Sequence, residues 1–229
     1  MNFNQNSHRR KNILTGEWVL VSPHRTKRPW QGKQEDSGEI KTISYDPNCY
    51  LCPGNKRANG EINPNYINTF SFINDFSAIM DSEGDNLKDG LLEAETESGI
   101  CKVLCYSPNH SMTIPQMKVE EIVLIIKLWQ KEYRELGTLN SINHIQIFEN
   151  KGEIMGCSNP HPHGQIWAQK SIPQEVEKKQ FNLKKYYAEN NESLLSAYLK
   201  NLWLPGTTIV VPFSSLTSSK YHITLVTIL

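Results

Sequence analysis

The stretch from Gly156 to Gln165 is the feature that most limits how this chain can fold. Two histidines, His161 and His163, stand two residues apart with a proline between them, and a glycine lies at each end. Proline fixes φ and lacks an amide donor, so the loop is stiff before anything binds. In an extended segment the period of two places both imidazoles on one face. Gly164 lets a bulky substrate approach the backbone beside His163.

A stiff pair of imidazoles suits nucleophilic attack on a phosphorus centre or metal binding, or one histidine for each. The alternative is that both are structural histidines of a folded core. That alternative leaves unexplained the prolines, the turn at 150–152 and the polar Gln165 in register with both histidines. We therefore treat the stretch as a candidate site.

Size and charge restrict the function. A chain of 229 residues can bury the core of one domain, or of one and a half. Lys and Arg number 24 and Asp and Glu number 24, so formal neutrality argues against bulk electrostatic binding to nucleic acid. Phosphate chemistry would need a local cluster of cations.

The sequence also predicts a cytoplasmic location. No apolar run reaches membrane-spanning length, and the polar segment 1–5 lacks the apolar core of a signal peptide. Five cysteines, an odd number, fit a reducing compartment better than a framework of disulfides.

Cys49 and Cys52 form a CxxC pair on a turn. Alone they are half of a zinc site at best, and a redox motif would need a thioredoxin-like context that is missing. Further ligands would come from distant segments, and His110 and His161 are the candidates. Two thiolates and two imidazoles make a closed tetrahedral set, which is the structural type of zinc site.

Two other segments have open interpretations. The loop Ser22–Gln31 carries Arg25, Lys27 and Arg28, which form either a solvated surface run or a clamp for phosphate. The aromatic alternation of 69–76 predicts a strand that ends at Asn74-Asp75. Those two side chains either bind a base or ribose or form an Asx turn.

Apolar periodicity predicts an amphipathic core helix over Pro115–Gly137 and a second, more exposed helix over 173–200. The apolar stripe of the first helix consists of Val119, Ile122, Val123, Ile126, Trp129, Tyr133 and Leu136. The acidic segment 81–99 is expected to be a surface excursion. Strands are expected at Trp18–Val21, Cys101–Tyr106 and Asn143–Glu149.

Phe148–Gly152 followed by Met155–Trp167 resembles the active-site signature of the galactose-1-phosphate uridylyltransferases, a branch of the histidine-triad superfamily. Similar stretches recur from about Asn12 to Leu199. The resemblance implies an α+β fold with a mainly antiparallel sheet, flanking helices and a homodimeric assembly. It implies an enzyme of galactose metabolism that passes UMP from UDP-glucose to galactose 1-phosphate through a covalent intermediate.

The resemblance also assigns roles to particular residues. Its catalytic residues are His163, Gln165 and Ser158. Its substrate-binding residues are Arg25, Arg28, Asn74, Asp75, Asn150, Cys157, Ser158 and Gln165. Its structural zinc is bound by Cys49, Cys52, His110 and His161. The alternatives are a hydrolase, or a zinc-stabilised nucleotide-binding module, of the same superfamily.

The resemblance fails at two places. Lys179 stands where the family has a glutamate of a second metal site, so that site is expected to be absent. After Trp203 the family's second repeat is not recognisable. We therefore expect a catalytic N-terminal domain over 1–200 and a divergent tail over 201–229. Such a tail would leave a weakly active or inactive enzyme, because relatives draw on second-repeat residues to position the substrate.

Overall fold

The computed structural model of the chain describes residues 3, 5–29, 42–152, 155–157, 159–202 and 225–227. The chain forms two compact units: the first comprises Met1–Glu39 and Ile172–Val211, and the second comprises Ile40–Ser171 and Pro212–Leu229. The strands are β1 (His8–Lys11), β2 (Trp18–Val21), β3 (Phe70–Ile73), β4 (Leu87–Asp89), β5 (Leu92–Ala94), β6 (Gly99–Cys105), β7 (His144–Glu149), β8 (His163–Gln169) and β9 (Leu225–Thr227). The helices are α1 (Val119–Gly137), α2 (Gln174–Asn190) and α3 (Leu194–Leu202).

The second unit is built on a five-stranded sheet with the order β3-β6-β8-β7-β9. Neighbouring strands are antiparallel except β7 and β9, which are parallel. Helix α1 covers one face of this sheet through the main apolar cluster. The predicted α+β class, with a mainly antiparallel sheet and flanking helices, is confirmed.

Strand β8 carries the functional stretch into the middle of the sheet. Gly164, Ile166 and Ala168 are buried on the side of α1, as the period of two requires. His163, Gln165 and Trp167 alternate with them and face the other side of the sheet. Strand β6 pairs with all of β8 and β7 pairs with its residues 165–169, so this pairing fixes the register and the alternation of β8.

Helix α1 begins at Val119 and not at Pro115, so its predicted start was wrong. Pro115 lies in a separate 3-10 turn, Ile114–Gln116. The helix begins after Lys118, whose backbone N–H donates to Glu121 Oε2 at 2.8 Å, and the carboxylate there also complements the helix dipole. This bond satisfies the N–H of Lys118, where the preceding turn ends and the helix begins.

The apolar stripe of α1 was predicted only in part. Ile122, Trp129, Tyr133 and Leu136 pack in the core, together with Ile125 and Leu128. Val119, Val123 and Ile126 are instead exposed, with Val119 at 71%. The buried face is centred on Ile125, Trp129 and Leu136. With about 100° per residue, Val119 and Ile126 lie at the margin of this face, whereas Val123 lies toward the opposite side of the helix.

An acidic residue, Glu132, lies in the buried face of α1 with an exposure of 1%. Lys102 of β6 donates to its Oε2 and Ser71 of β3 donates to its Oε1. These polar side chains satisfy one another where water is excluded. The network therefore ties α1 to β3 and β6, on the face opposite His163.

In the first unit β1 and β2 form an antiparallel hairpin, with His8 opposite Val21, so the predicted strand at Trp18–Val21 is confirmed. The helix expected over 173–200 is two helices. Helix α2 ends at Asn190, because the next residue, Asn191, has a φ of 53° in the left-handed region that stops a helix. Asparagine tolerates this conformation because its short side chain adds little steric cost.

The other expected strands agree with the structure within a few residues. Residues 101–105 and 144–149 lie in β6 and β7, and β3 ends one residue before Asn74. The acidic segment 81–99 contains the exposed hairpin β4–β5, in which Leu91 is fully exposed. The prediction of a surface excursion is therefore confirmed.

Candidate active site and metal centre

A cavity of about 200 Å³ lies on the face of the sheet opposite α1. Its floor is a row of side chains that are paired across neighbouring strands: Phe72 with Val103, and Val103 with Gln165. Gly164 and His163 continue the lining along β8. The candidate residues that line it are Asn74, Asp75, Asn150, Cys157, His163 and Gln165.

His163 is held in one tautomer by the backbone of His161. Its Nδ1 lies 2.7 Å from the backbone oxygen of His161, so Nδ1–H donates and the neutral ring keeps its lone pair on Nε2. Burial lowers the pKa of His163 below its usual value. A neutral imidazole with a free nitrogen beside a cavity is a competent nucleophile.

Gly164 is required by packing at the back of the site. A Cβ at this position would overlap Tyr106 Oη and would lie 2.8 Å from the backbone oxygen of Phe148. Tyr106 is 3% exposed and packs edge-on against Trp129, so its ring has no free direction in which to move. The glycine beside His163 therefore fits β8 against the core as well as lining the cavity.

Asn74 and Asp75 lie at one end of the cavity, and their side chains are already partly engaged. Asn74 Oδ1 accepts the backbone N–H of Phe76 at 3.0 Å, which is the Asx turn that the sequence left open. Asp75 Oδ1 accepts from Arg57 Nη1 at 3.1 Å, and both side chains are 7% exposed. The guanidinium of Arg57 also lies 4.3 Å from the ring centre of Phe72. Sequence reasoning missed Arg57, which lies in a loop with no distinctive spacing.

Cys49, Cys52, His110 and His161 come together as one buried cluster, in which the possible ligand atoms all lie within 4.8 Å of one another. Cys52 Sγ is 3.5 Å from the Nδ1 atoms of His110 and of His161. Two sulfur and two nitrogen donors without an open position are typical of a structural metal site. These residues could hold a metal ion.

Polar groups behind the cluster orient its ligands. His161 Nε2 donates to Ser107 O at 2.9 Å and lies 3.0 Å from the hydroxyl of Tyr66, which turns Nδ1 toward the cluster. Asn159 donates to Cys49 Sγ at 3.5 Å and accepts the backbone N–H of His161 at 2.9 Å. Asn159 could have been found from its place inside the motif, whereas Tyr66 and Ser107 come from distant segments without a pattern.

Burial affects the pKa values of two possible ligands in opposite directions. It lowers the pKa of His161 to about 4, which keeps the imidazole in the neutral form that binds metals. It raises the pKa of the Cys52 thiol to about 11, so a bound cation has to displace that proton. The donor set therefore suits a metal that forms strong bonds to thiolate.

Three candidate residues remain to be located. Ser158 lies outside the residues that the structure describes. Arg25 and Arg28 belong to the first unit, where Arg25 is in the 3-10 turn Pro23–Lys27, Arg28 follows it, and both are exposed. Their contact with a substrate stays a prediction. Lys179 lies in α2 of the same unit.

Comparison with known proteins gives a consistent result. Residues 1–173 match the sequence profile described as galactose-1-phosphate uridyl transferase, N-terminal domain. The galactose-1-phosphate uridylyltransferase of Saccharomyces cerevisiae is 49% identical over 212 residues, which cover 86% of this chain and 58% of the relative. The protein of the same name from Haemophilus influenzae is 48% identical over 198 residues, covering 86% and 56%.

Solved structures show the same fold. A uridylyltransferase structure aligns with a TM-score of 0.58 and 22% identity over 85% of this chain and 56% of that one. An ADP-glucose phosphorylase from Arabidopsis thaliana, solved with bound ADP-glucose, aligns with a TM-score of 0.59 and 25% identity over 82% and 56%. The chain thus spans a little over half the length of these two structures and of the two relatives above.

Proposed function

The chain belongs to the galactose-1-phosphate uridyl transferase family, and on this basis we propose that it is a nucleotidyltransferase of galactose metabolism that moves a uridylyl group from UDP-glucose to galactose 1-phosphate. The observation that carries the proposal is the hydrogen bond from His163 Nδ1 to the carbonyl of His161, which leaves Nε2 as the nucleophilic nitrogen. His163 lines the cavity on the face of the sheet opposite α1, beside Gly164 and Gln165.

In the first step, Nε2 of His163 attacks the α-phosphorus of UDP-glucose. The new bond is N–P, the bond that breaks joins the α-phosphorus to the bridging oxygen, and glucose 1-phosphate leaves. The Nδ1 proton stays on the ring, where the carbonyl of His161 stabilises the positive charge of the substituted imidazole. In the second step a phosphate oxygen of galactose 1-phosphate attacks the same phosphorus, which forms UDP-galactose and regenerates His163.

The remaining candidate residues would bind parts of the substrate. Gln165 and Ser158 would donate to the non-bridging oxygens of the transferred phosphoryl group, whose charge must be stabilised in the transition state. Asn150 and Cys157 line the same cavity and would contact the substrate beside its transferred phosphoryl group. Asn74 and Asp75 would bind the nucleoside. Arg25 and Arg28 would bind the diphosphate.

The Cys₂His₂ cluster would hold one structural zinc ion. Its two thiols, its two imidazoles and the hydrogen bonds behind His161 fit a closed tetrahedral site. Zinc bound there would cross-link the turn that carries Cys49 and Cys52 to the loop that carries His161. His161 and the rest of that loop would then hold His163 in position.

We extend the proposal to organisation and location. Residues 1–200 would form the catalytic domain and 201–229 a tail, and a homodimer is the expected assembly. The five cysteines are free thiols, which fits the reducing cytoplasm. No helix among the described residues has the length and apolar character needed to cross a membrane.

The test is incubation with UDP-glucose labelled in the uridylyl group, followed by denaturing analysis for label bound to protein. We expect label on the wild-type chain and none on His163→Gly. The matched control is His8→Gly, which removes an imidazole from β1 of the first unit and should label normally. Gln165→Ala should slow labelling by roughly 10²–10³-fold if its amide stabilises the transition state. Full labelling of His163→Gly would refute the assignment.

The fate of the label separates this activity from that of a hydrolase. Galactose 1-phosphate should remove the label and yield UDP-galactose, whereas buffer alone should leave most of it in place. Rapid loss of label to water, unaffected by galactose 1-phosphate, would instead identify a nucleotide hydrolase. A binding module would retain nucleotide without any covalent label.

A further inference from the structure

Trp167 and Gln165 form a hydrogen bond that the proposed reaction does not use. Trp167 Nε1 lies 3.2 Å from Gln165 Oε1. The two residues are two apart in β8, so their side chains stand on the same face of the sheet. The indole ring meets Phe148 edge-on, with the ring centres 5.6 Å apart at an angle of 81°. The donor is therefore held by packing as well as by its own strand.

The chemistry of the indole decides which end of the amide it faces. Indole N–H is a donor only, so its partner in the Gln165 carboxamide must be the oxygen and not the nitrogen. With Oε1 engaged in this way, the carboxamide nitrogen is turned away from Trp167. The two N–H donors of the amide remain for a ligand in the cavity that Gln165 lines.

We infer that Trp167 is a positioning residue that orients the carboxamide of Gln165 so that its N–H donors meet the phosphoryl oxygens. This inference rests on the proposed uridylyl transfer. Without the indole, the amide can rotate by half a turn and present its carbonyl oxygen to an anionic group. That orientation repels the charge that develops in the transition state, so part of the population would be unproductive.

The decisive variant is Trp167→Phe, which keeps an aromatic ring at this position but removes the N–H donor together with the five-membered ring of the indole. We expect the single-turnover rate of His163 labelling at saturating UDP-glucose to fall by about 2- to 10-fold, the usual net effect of one neutral hydrogen bond. The concentration of UDP-glucose for half-maximal labelling should change less. Trp18→Phe, at an exposed tryptophan in β2 of the first unit, is the control and should leave the rate unchanged.

A double-mutant cycle tests whether Trp167 acts through Gln165. In a Gln165→Ala background, Trp167→Phe should have no further effect on the labelling rate. An equal fold-loss in both backgrounds would mean that Trp167 only supports the strand, and it would overturn the inference. No loss in the wild-type background would overturn it as well.

A second measurement keeps the inference separate from the proposed function. Exchange of the Trp167 indole N–H with deuterium should be faster in Gln165→Ala than in the wild type, because the acceptor has been removed. If the wild type forms no label at His163, the proposed transfer fails, but this exchange experiment still decides whether Trp167 and Gln165 are coupled. Exchange that is equally fast in both proteins overturns the positioning role.

Discussion

Replacing Glu132 by glutamine should destabilise the chain by about 3 kcal/mol, the lower end of the range for breaking a buried ion pair. Glutamine has nearly the same shape, so the change removes charge without creating a cavity. It leaves the ammonium group of Lys102 without its counter-ion, and that side chain is only 17% exposed. The residual exposure of Lys102 allows some solvation, which is why we expect the lower end of the range.

Glu135 provides a matched control on the same helix. It pairs with Lys131 at 3.9 Å, but these side chains are 58% and 64% exposed. Exposed i,i+4 pairs contribute only about 0.3–0.5 kcal/mol because water screens both charges. The same chemical change, Glu135→Gln, should therefore have an effect several times smaller than Glu132→Gln.

Unfolding in urea, followed by tryptophan fluorescence, measures both effects. With a slope of about 2 kcal/mol per molar urea, a loss of about 3 kcal/mol lowers the midpoint by about 1.5 M, and the control shifts it by about 0.2 M. Removing both charges with Lys102→Met and Glu132→Leu should recover most of the loss, since no buried charge is then unpaired. Equal midpoints for the two glutamine variants, or no recovery in the double variant, would refute this reasoning.

Three other changes have defined outcomes. Burial raises the pKa of half-buried Glu149 above 4.5, so its charging opposes folding. Glu149→Gln should therefore stabilise the chain at pH 7, and the gain should disappear below about pH 4.5, where the carboxyl is protonated in both the folded and the unfolded state. Urea midpoints at the two pH values measure this difference. Gly164→Ala should cost about 1–3 kcal/mol by overpacking, and Tyr106→Phe in the same chain should recover part of it; an unchanged midpoint would contradict the packing argument. Metal analysis should find near one equivalent of zinc in the wild type and in Cys101→Ala, but little in Cys52→Ser; retention by Cys52→Ser would remove it from the ligand set.

The chain's periodic and local features could be predicted from sequence. The β8 alternation follows from a two-residue period, and the end of β3 follows from Asn74, whose side chain makes the Asx turn that was one of its two predicted roles. The resemblance grouped Cys49 and Cys52 with two distant histidines, and the structure brings these four side chains together. Each of these features depends on neighbours in the chain or on a long shared motif.

Pairs formed only by the tertiary fold could not be predicted in this way. From the sequence alone, a glutamate at position 132 of the helix indicates an exposed position. Only the fold shows that Lys102 of β6 pairs with it where both side chains are buried or nearly so. Arg57 and Asp75 are 18 residues apart, and no pattern links a loop cation to the end of a strand. The bond between Trp167 and Gln165 lies within the motif, but its direction depends on the orientation of both side chains.

The two halves of His161 serve different neighbours: the side chain belongs to the metal cluster, and the backbone oxygen accepts the Nδ1 proton of His163. Substitution can replace the imidazole, but it cannot delete a carbonyl. The flanking Pro160 and Pro162 restrict the path of that backbone whatever side chain it carries. A lineage that abandons the metal by changing residue 161 therefore retains the acceptor that keeps the next histidine nucleophilic, so the metal ligand can be lost while the acceptor remains.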